Sequence, residues 1–166
     1  LAGGWPVINL GLNSQQELDS IQQAQEAGGD FDPDGIEDAR TRTFRSLVQR
    51  RGQRDFRREV LEAYSCKCAV TGYDSEFALE ACHIFPYQGP DTNHVTNGLL
   101  LRSDIHTLFD LGMMAVDTSD MTLILADGLL RSSYAELSKR PIALPQDPSK
   151  RPSAAALDQH RQLVGL

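Results

Sequence analysis

Four residues stand out as capable of chemistry in this 166-residue chain: His83, Asn97, His106 and Asp110. His83 lies in Ala81-Cys82-His83-Ile84-Phe85-Pro86, Asn97 follows 14 residues later beside Gly98, and His106 comes nine residues after that. A histidine titrates near neutral pH, so it can take a proton from water and return it. His106 and Asp110 are four residues apart, which places both on one face if the segment is helical. A ring nitrogen and a carboxylate on one face can share a metal ion. That donor set, completed by water and substrate oxygens, suits Mg²⁺ or Mn²⁺ better than a structural zinc.

The surrounding pattern supplies elements to hold these residues. Phe77 to Phe85 reads as a strand, and Leu99-Leu100-Leu101 as a second, short apolar one. Between them runs a polar loop with turn signals at Pro86, Gly89-Pro90 and Asn97-Gly98. Ser103 fits as the N-cap of a helix over Asp104 to Asp110, with Gly112 as its stop. A hairpin is predicted next, Met113 to Val116 with Met121 to Leu125, then a short helix near Ser133 to Leu137 and a last helix from Ser153 to Leu163. Upstream, Phe56, Val60, Leu61 and Tyr64 fall at helical spacing over Asp55 to Tyr64, and another helix is predicted from Ile36 to about Arg51. Residues 1–35 read as an acidic linker or docking segment. Their acid-rich loop at Asp30 to Gly35 lacks the twelve-residue frame of a calcium site.

In type, order and spacing, His83-x-x-Pro86, Asn97-Gly98 and His106-x-x-x-Asp110 resemble the HNH nucleases. Arg54-Asp55-Phe56-Arg57, Tyr64, Cys68-Ala69-Val70-Thr71-Gly72, Leu79-Glu80-Ala81 and Gly89-Pro90 extend the likeness to one bacterial HNH subfamily, found joined to other domains in restriction and defence proteins. The likeness is strong over about residues 50–117 and weak outside. It implies an α+β fold with a ββα-metal core, at about 64–117 of a nuclease domain spanning 36–166, flanked by Arg-rich and C-terminal helices. The implied activity is divalent-metal-dependent endonuclease cleavage of double-stranded DNA, leaving 5′-phosphate and 3′-hydroxyl ends. The implied roles are His83 as general base, Asn97 as the residue tying the hairpin limbs together, and His106 with Asp110 as ligands to one Mg²⁺ or Mn²⁺.

Two departures from the family pattern matter. Many HNH enzymes carry a further metal ligand immediately before the base histidine, where this chain has Cys82. A thiolate is a soft ligand, poorly suited to Mg²⁺, so Cys82 reads as a packing residue, with Glu80 a weak candidate for an additional ligand. Many relatives also brace the hairpin with paired Cys-x-x-Cys knuckles. Cys66-x-Cys68 alone cannot complete a four-ligand zinc site without borrowing a catalytic histidine, so structural zinc is not expected. His94 and His160 read as ordinary surface or core residues.

The net charge of −7 argues against nucleic acid only until its distribution is seen. Residues 1–39 hold eight acidic side chains and no Lys or Arg; residues 40–166 hold 16 basic groups against 15 acidic. Eight arginines crowd into residues 40–58 with only Asp55 opposing. The planar guanidinium suits bidentate phosphate contacts, which points to Arg51, Arg54 and Arg58 as DNA-backbone ligands. Arg102, close to His106 in sequence, is placed near the scissile phosphate. No run of about 18 apolar residues exists, so no membrane span is expected. Three cysteines without secretion signals favour a cytoplasmic setting. The N-terminal Leu-Ala-Gly-Gly-Trp reads as the edge of a piece cut from a longer protein, whose N-terminal part or partner would supply targeting. The competing reading is a catalytically inert DNA-binding or protein-docking module that keeps the HNH fold.

Overall fold

The structure, a computed structural model, describes residues 54–86 and 90–166. The acidic segment 1–35, the helix expected from Ile36 to Arg51, and Gly89 lie outside the described residues.

Helix α1 spans Arg54–Ala63, and its buried stripe is Phe56 and Val60, continued by Tyr64 just past the helix end. These sit four residues apart, the interval that keeps side chains on one face. Arg57 is drawn inward: its Nη1 donates to the Leu79 carbonyl at 2.6 Å and its Nη2 to that of Glu76 at 3.2 Å. Those bonds tie α1 to the start of strand β1, Leu79–His83. The strand is shorter than the pattern suggested. Residues Glu76–Ala78 form a 3₁₀ turn instead, leaving Phe77 90% exposed.

Strand β1 pairs antiparallel with β2, Gly98–Arg102, in a register that sets Leu79 opposite Arg102 and His83 opposite Gly98. Four of the five residues in each strand are buried rather than alternating, because the hairpin is covered on both faces. Helix α1 lies on one face and α2, Ser103–Asp110, on the other. Gly98 shows how closely α1 approaches. A Cβ there would lie 2.6 Å from Val60 Cγ2 and 3.0 Å from the Phe56 ring. The Asn97-Gly98 pair is therefore not a glycine turn: Gly98 is extended (φ −122°), and Asn97 ends a 3₁₀ turn, Val95–Asn97.

Helix α2 follows β2 without a loop. Its N-cap position is Arg102, in extended conformation and without a side-chain cap bond, rather than Ser103, which is already helical. Ile105 and Phe109 bury one stripe, leaving His106 and Asp110 on the neighbouring one. The helix stops as expected at Gly112 (φ +67°), where the Gly112 N–H meets the Phe109 carbonyl and the Met113 N–H that of Leu108, both at 2.9 Å. These two bonds satisfy carbonyls that the helix end would otherwise orphan.

A second antiparallel hairpin, β3 (Met114–Asp117) with β4 (Thr122–Leu125), turns through residues 118–121. Ser133–Leu137 is a 3₁₀ turn rather than an α-helix. Helix α3, Ala154–Val164, packs on β3 and is capped by Ser153, whose Oγ accepts the Ala156 N–H at 3.3 Å. A single apolar core runs from Phe56 through the first hairpin and α2 to Leu157. The fold is α+β, with the expected order of two strands and a helix at its centre. None of the helices among the described residues is long and apolar enough to cross a membrane.

Candidate active site

His83 is the last residue of β1, where the sheet ends and the polar loop begins. Its ring stacks on Phe56 of α1, with centroids 4.1 Å apart and planes 10° from parallel. Nε2 faces the side-chain oxygen of Asn93 at 3.0 Å. An amide oxygen only accepts, so this contact puts the proton on Nε2 and the basic lone pair on Nδ1. Burial pushes the ring's pKa below its usual 6.5, against an upward pull from Asn93, so His83 is neutral at pH 7 and able to accept a proton. His106 and Asp110 also bear on that charge, the first lowering and the second raising the pKa.

The loop carrying Asn93 is held by Asn97. Its Oδ1 accepts the Phe85 N–H at 2.8 Å, and its Nδ2 donates to the carbonyls of Phe85 and Thr92, both at 3.0 Å. The Ile84 N–H donates to the Asn97 carbonyl at 2.9 Å. One side chain thus clamps both limbs of the connection directly beyond His83. His94 has a local duty, its Nδ1 accepting the Thr96 N–H at 3.3 Å to cap the short turn before β2.

On the other face of the hairpin, His106 lies among three side chains. Nδ1 is 2.6 Å from Glu80 Oε2, and Nε2 is 3.3 Å from Asp110 Oδ2. Cys82, fully buried, completes a group in which one donor atom each from Cys82, His106 and Asp110 lie within 4.8 Å of one another. Burial works against charge on His106, while the Glu80 and Asp110 carboxylates beside it pull its pKa up. Burial itself raises the Cys82 thiol, which keeps it protonated at neutral pH. A ring nitrogen and an exposed carboxylate aimed at the same place fit a hard divalent ion. A neutral thiol beside them adds bulk rather than a ligand.

The arginines named from the sequence are dispersed. Arg54 and Arg58 project from the outer side of α1, Arg58 in an exposed pair with Asp55 at 2.9 Å. Arg51 lies outside the described residues. Arg102 is gripped in a two-pronged pair by Asp104, at 2.6 and 2.7 Å, and Tyr134 donates its hydroxyl to the same carboxylate at 2.8 Å. The Arg102 hydrogen bonds hold the Asp104 pKa down at about 2. Arg102 also helps line a cavity of about 370 Å³ with Thr71, Tyr134 and Arg140, which includes none of His83, Asn97 or His106. Cys68, with its sulfur accepting the N–H groups of Thr71 and Arg102 at 3.4 and 3.3 Å, fastens the Thr71-Gly72 turn to the start of α2.

Two polar partners escaped the sequence reading or were underweighted by it. Asn93, ten residues from His83, sits in a loop with no periodic signal. Glu80, 26 residues from His106, reads from the sequence only as a weak candidate for a further ligand.

Residues 68–117 match the family model of the HNH endonucleases. No curated protein matches the chain. Among solved structures, a modification-dependent TagI restriction endonuclease is similar at 21% identity and a TM-score of 0.49, over 64% of this chain and 36% of that one. The segment that carries His83, Asn97, His106 and Asp110 is thus the one that is similar to the HNH endonucleases.

Proposed function

We propose that the chain is the nuclease part of a larger restriction or defence protein and hydrolyses phosphodiester bonds of double-stranded DNA. The observation that carries this reading is that, inside an HNH segment, a neutral His83 oriented by Asn93 lies close enough to the His106–Asp110 pair for both to act on its charge. His83 takes the proton of the attacking water at Nδ1, while Asn93 holds the opposite nitrogen. Asn97 fixes the loop from which Asn93 projects, so the ring keeps its aim. His106 and Asp110 would hold Mg²⁺ or Mn²⁺. When bound, such an ion supplies Lewis-acid charge neutralisation at the phosphate and at the departing 3′-oxygen.

Arg54 and Arg58, exposed on α1, would hold backbone phosphates outside the site. Arg102 lies at the other end of the β1–β2 ladder from His83 and is paired with Asp104, so it would meet DNA only by sharing its guanidinium with that carboxylate. The test is incubation of supercoiled plasmid with Mg²⁺, Mn²⁺ or EDTA, followed by analysis of the ends. Nicks that need the divalent ion and carry 5′-phosphate and 3′-hydroxyl groups are the expected result. A folded protein that binds DNA but cuts it under none of these conditions would leave the inert-module reading standing.

A further inference from the structure

The two nitrogens of an imidazole diverge, so they cannot both point at one ion. In His106 the division is visible. Nε2 shares its side with Asp110 Oδ2 at 3.3 Å, while Nδ1 is held at 2.6 Å by Glu80 Oε2. An ion held jointly by His106 and Asp110 must therefore bind Nε2. Glu80 stands behind the ring on the opposite side.

Glu80 is unusual in its own right. It is one of two buried polar or charged residues among the described core positions, 8% exposed, on an apolar strand. A carboxylate is costly to bury without a charged or strongly donating partner, and Glu80 faces the His106 ring. Its backbone is fixed by the β1–β2 ladder opposite Leu101, so the side chain projects from a rigid element towards α2. A metal-bound histidine that donates its other N–H to a carboxylate is held in one tautomer and one orientation, and becomes a stronger ligand.

We propose that Glu80 is the positioning residue of the metal site: it accepts the Nδ1–H of His106 and so commits Nε2 to the ion, without touching the ion itself. This deepens the nuclease reading and rests on its assignment of His106 as a ligand. The geometry also answers where Glu80 belongs. It is not the additional ligand the sequence allowed for.

The test measures Mn²⁺ binding to the whole chain by electron paramagnetic resonance, apart from any cleavage. Glu80→Ala is expected to weaken Mn²⁺ binding by about 10–100-fold, the usual cost of losing such a partner. Glu80→Gln, of the same shape and with an amide oxygen that still accepts, is expected to recover most of that loss. Glu80→Asp, one methylene shorter, should behave like the alanine protein and replaces it should that one fail to fold. Alanine or aspartate proteins that bind Mn²⁺ within about twofold of wild type would overturn the proposal. So would a glutamine protein as weak as the alanine one, since a direct ligand loses its charge in both. Equal Mn²⁺ binding by wild type and His106→Ala would instead remove His106 as a ligand, and with it the reading on which Glu80's role depends.

Discussion

Two histidines in this molecule are packed in nearly the same way, one in each half. His83, at the end of β1, stacks on Phe56 with centroids 4.1 Å apart; His160, on α3, stacks on Phe109 at 3.8 Å. Burial lowers the pKa of both. Their surroundings then diverge. His160 points Nε2 at the Phe109 carbonyl at 3.3 Å, and its Nδ1 is buried with no hydrogen-bond partner among the described residues. His83 is aimed by Asn93 and lies where His106 and Asp110 act on its charge. A stacked, neutral imidazole is therefore not a catalytic base by virtue of its packing. What separates the two is a polar loop clamped by Asn97 and a helix that brings a ring nitrogen and a carboxylate to the same strand end.

The comparison can be broken at several points. A large effect on the metal requirement is expected from His106→Ala, which removes the ring nitrogen from the proposed metal position. The Mg²⁺ or Mn²⁺ concentration for half-maximal nicking should rise by more than the roughly 100-fold that loss of an outer partner can cost. Asp110→Ala, at a more exposed side chain, should move the same titration in the same direction by less. Overlapping titrations for Asp110→Ala and wild type would make Asp110 a helix-end residue only.

Asn97→Ala should come next. It strands the Phe85 N–H and the Phe85 and Thr92 carbonyls, costing about 1–3 kcal/mol of stability in a urea unfolding curve. Misaiming His83 should also slow single-turnover cleavage by up to about 10²-fold. A protein destabilised but fully active would show that the clamp serves folding alone.

Smaller changes are expected at the periphery. Replacing Arg54 and Arg58 with alanine should weaken binding alike on duplexes of different sequence. Each lost phosphate contact should flatten the log–log salt slope by about 0.9. Their effect on stability should be slight, because the Arg58–Asp55 pair is exposed and such pairs are worth about 0–1 kcal/mol.

The subtlest test lies in the other half. Burial holds His160 below 6.5, so folding favours its neutral ring. The stability this gives is present above the unfolded-state pKa and is lost as pH falls through the lower, folded value. His160→Leu should flatten the fall in melting temperature between about pH 7.5 and 5 while leaving cleavage alone. An unchanged pH dependence would mean that the ring's burial is not felt in folding.

Much of this architecture could be read from local patterns. Phe56, Val60 and Tyr64 mark α1, Gly112 marks the end of α2, and Ser153 caps α3, because each signal acts within a turn or two of itself. The misread details depend on distant partners. Asn97-Gly98 looks like a turn, but Gly98 is small because α1 crosses directly above it. Ser103 looks like an N-cap, but β2 runs straight into the helix and leaves Arg102 there. Phe77 looks like strand, yet Arg57 binds the carbonyls around it and the chain curls into a 3₁₀ turn. The same distinction governs the site. His83, Asn97, His106 and Asp110 can be named from type and spacing, whereas Asn93 and Glu80 gain meaning only from what they touch across 10 and 26 residues.

Single-turnover nicking of supercoiled plasmid in saturating Mg²⁺, run in parallel for wild type, His83→Ala and His160→Leu, tests the central claim most directly. The account predicts that His83→Ala loses about 10²–10⁴-fold in rate, the usual cost of removing a general base, while still binding DNA and metal. His160→Leu should cut at the wild-type rate. A folded His83→Ala protein that nicks as fast as wild type would contradict the assignment of the base, and with it the difference drawn between the two histidines.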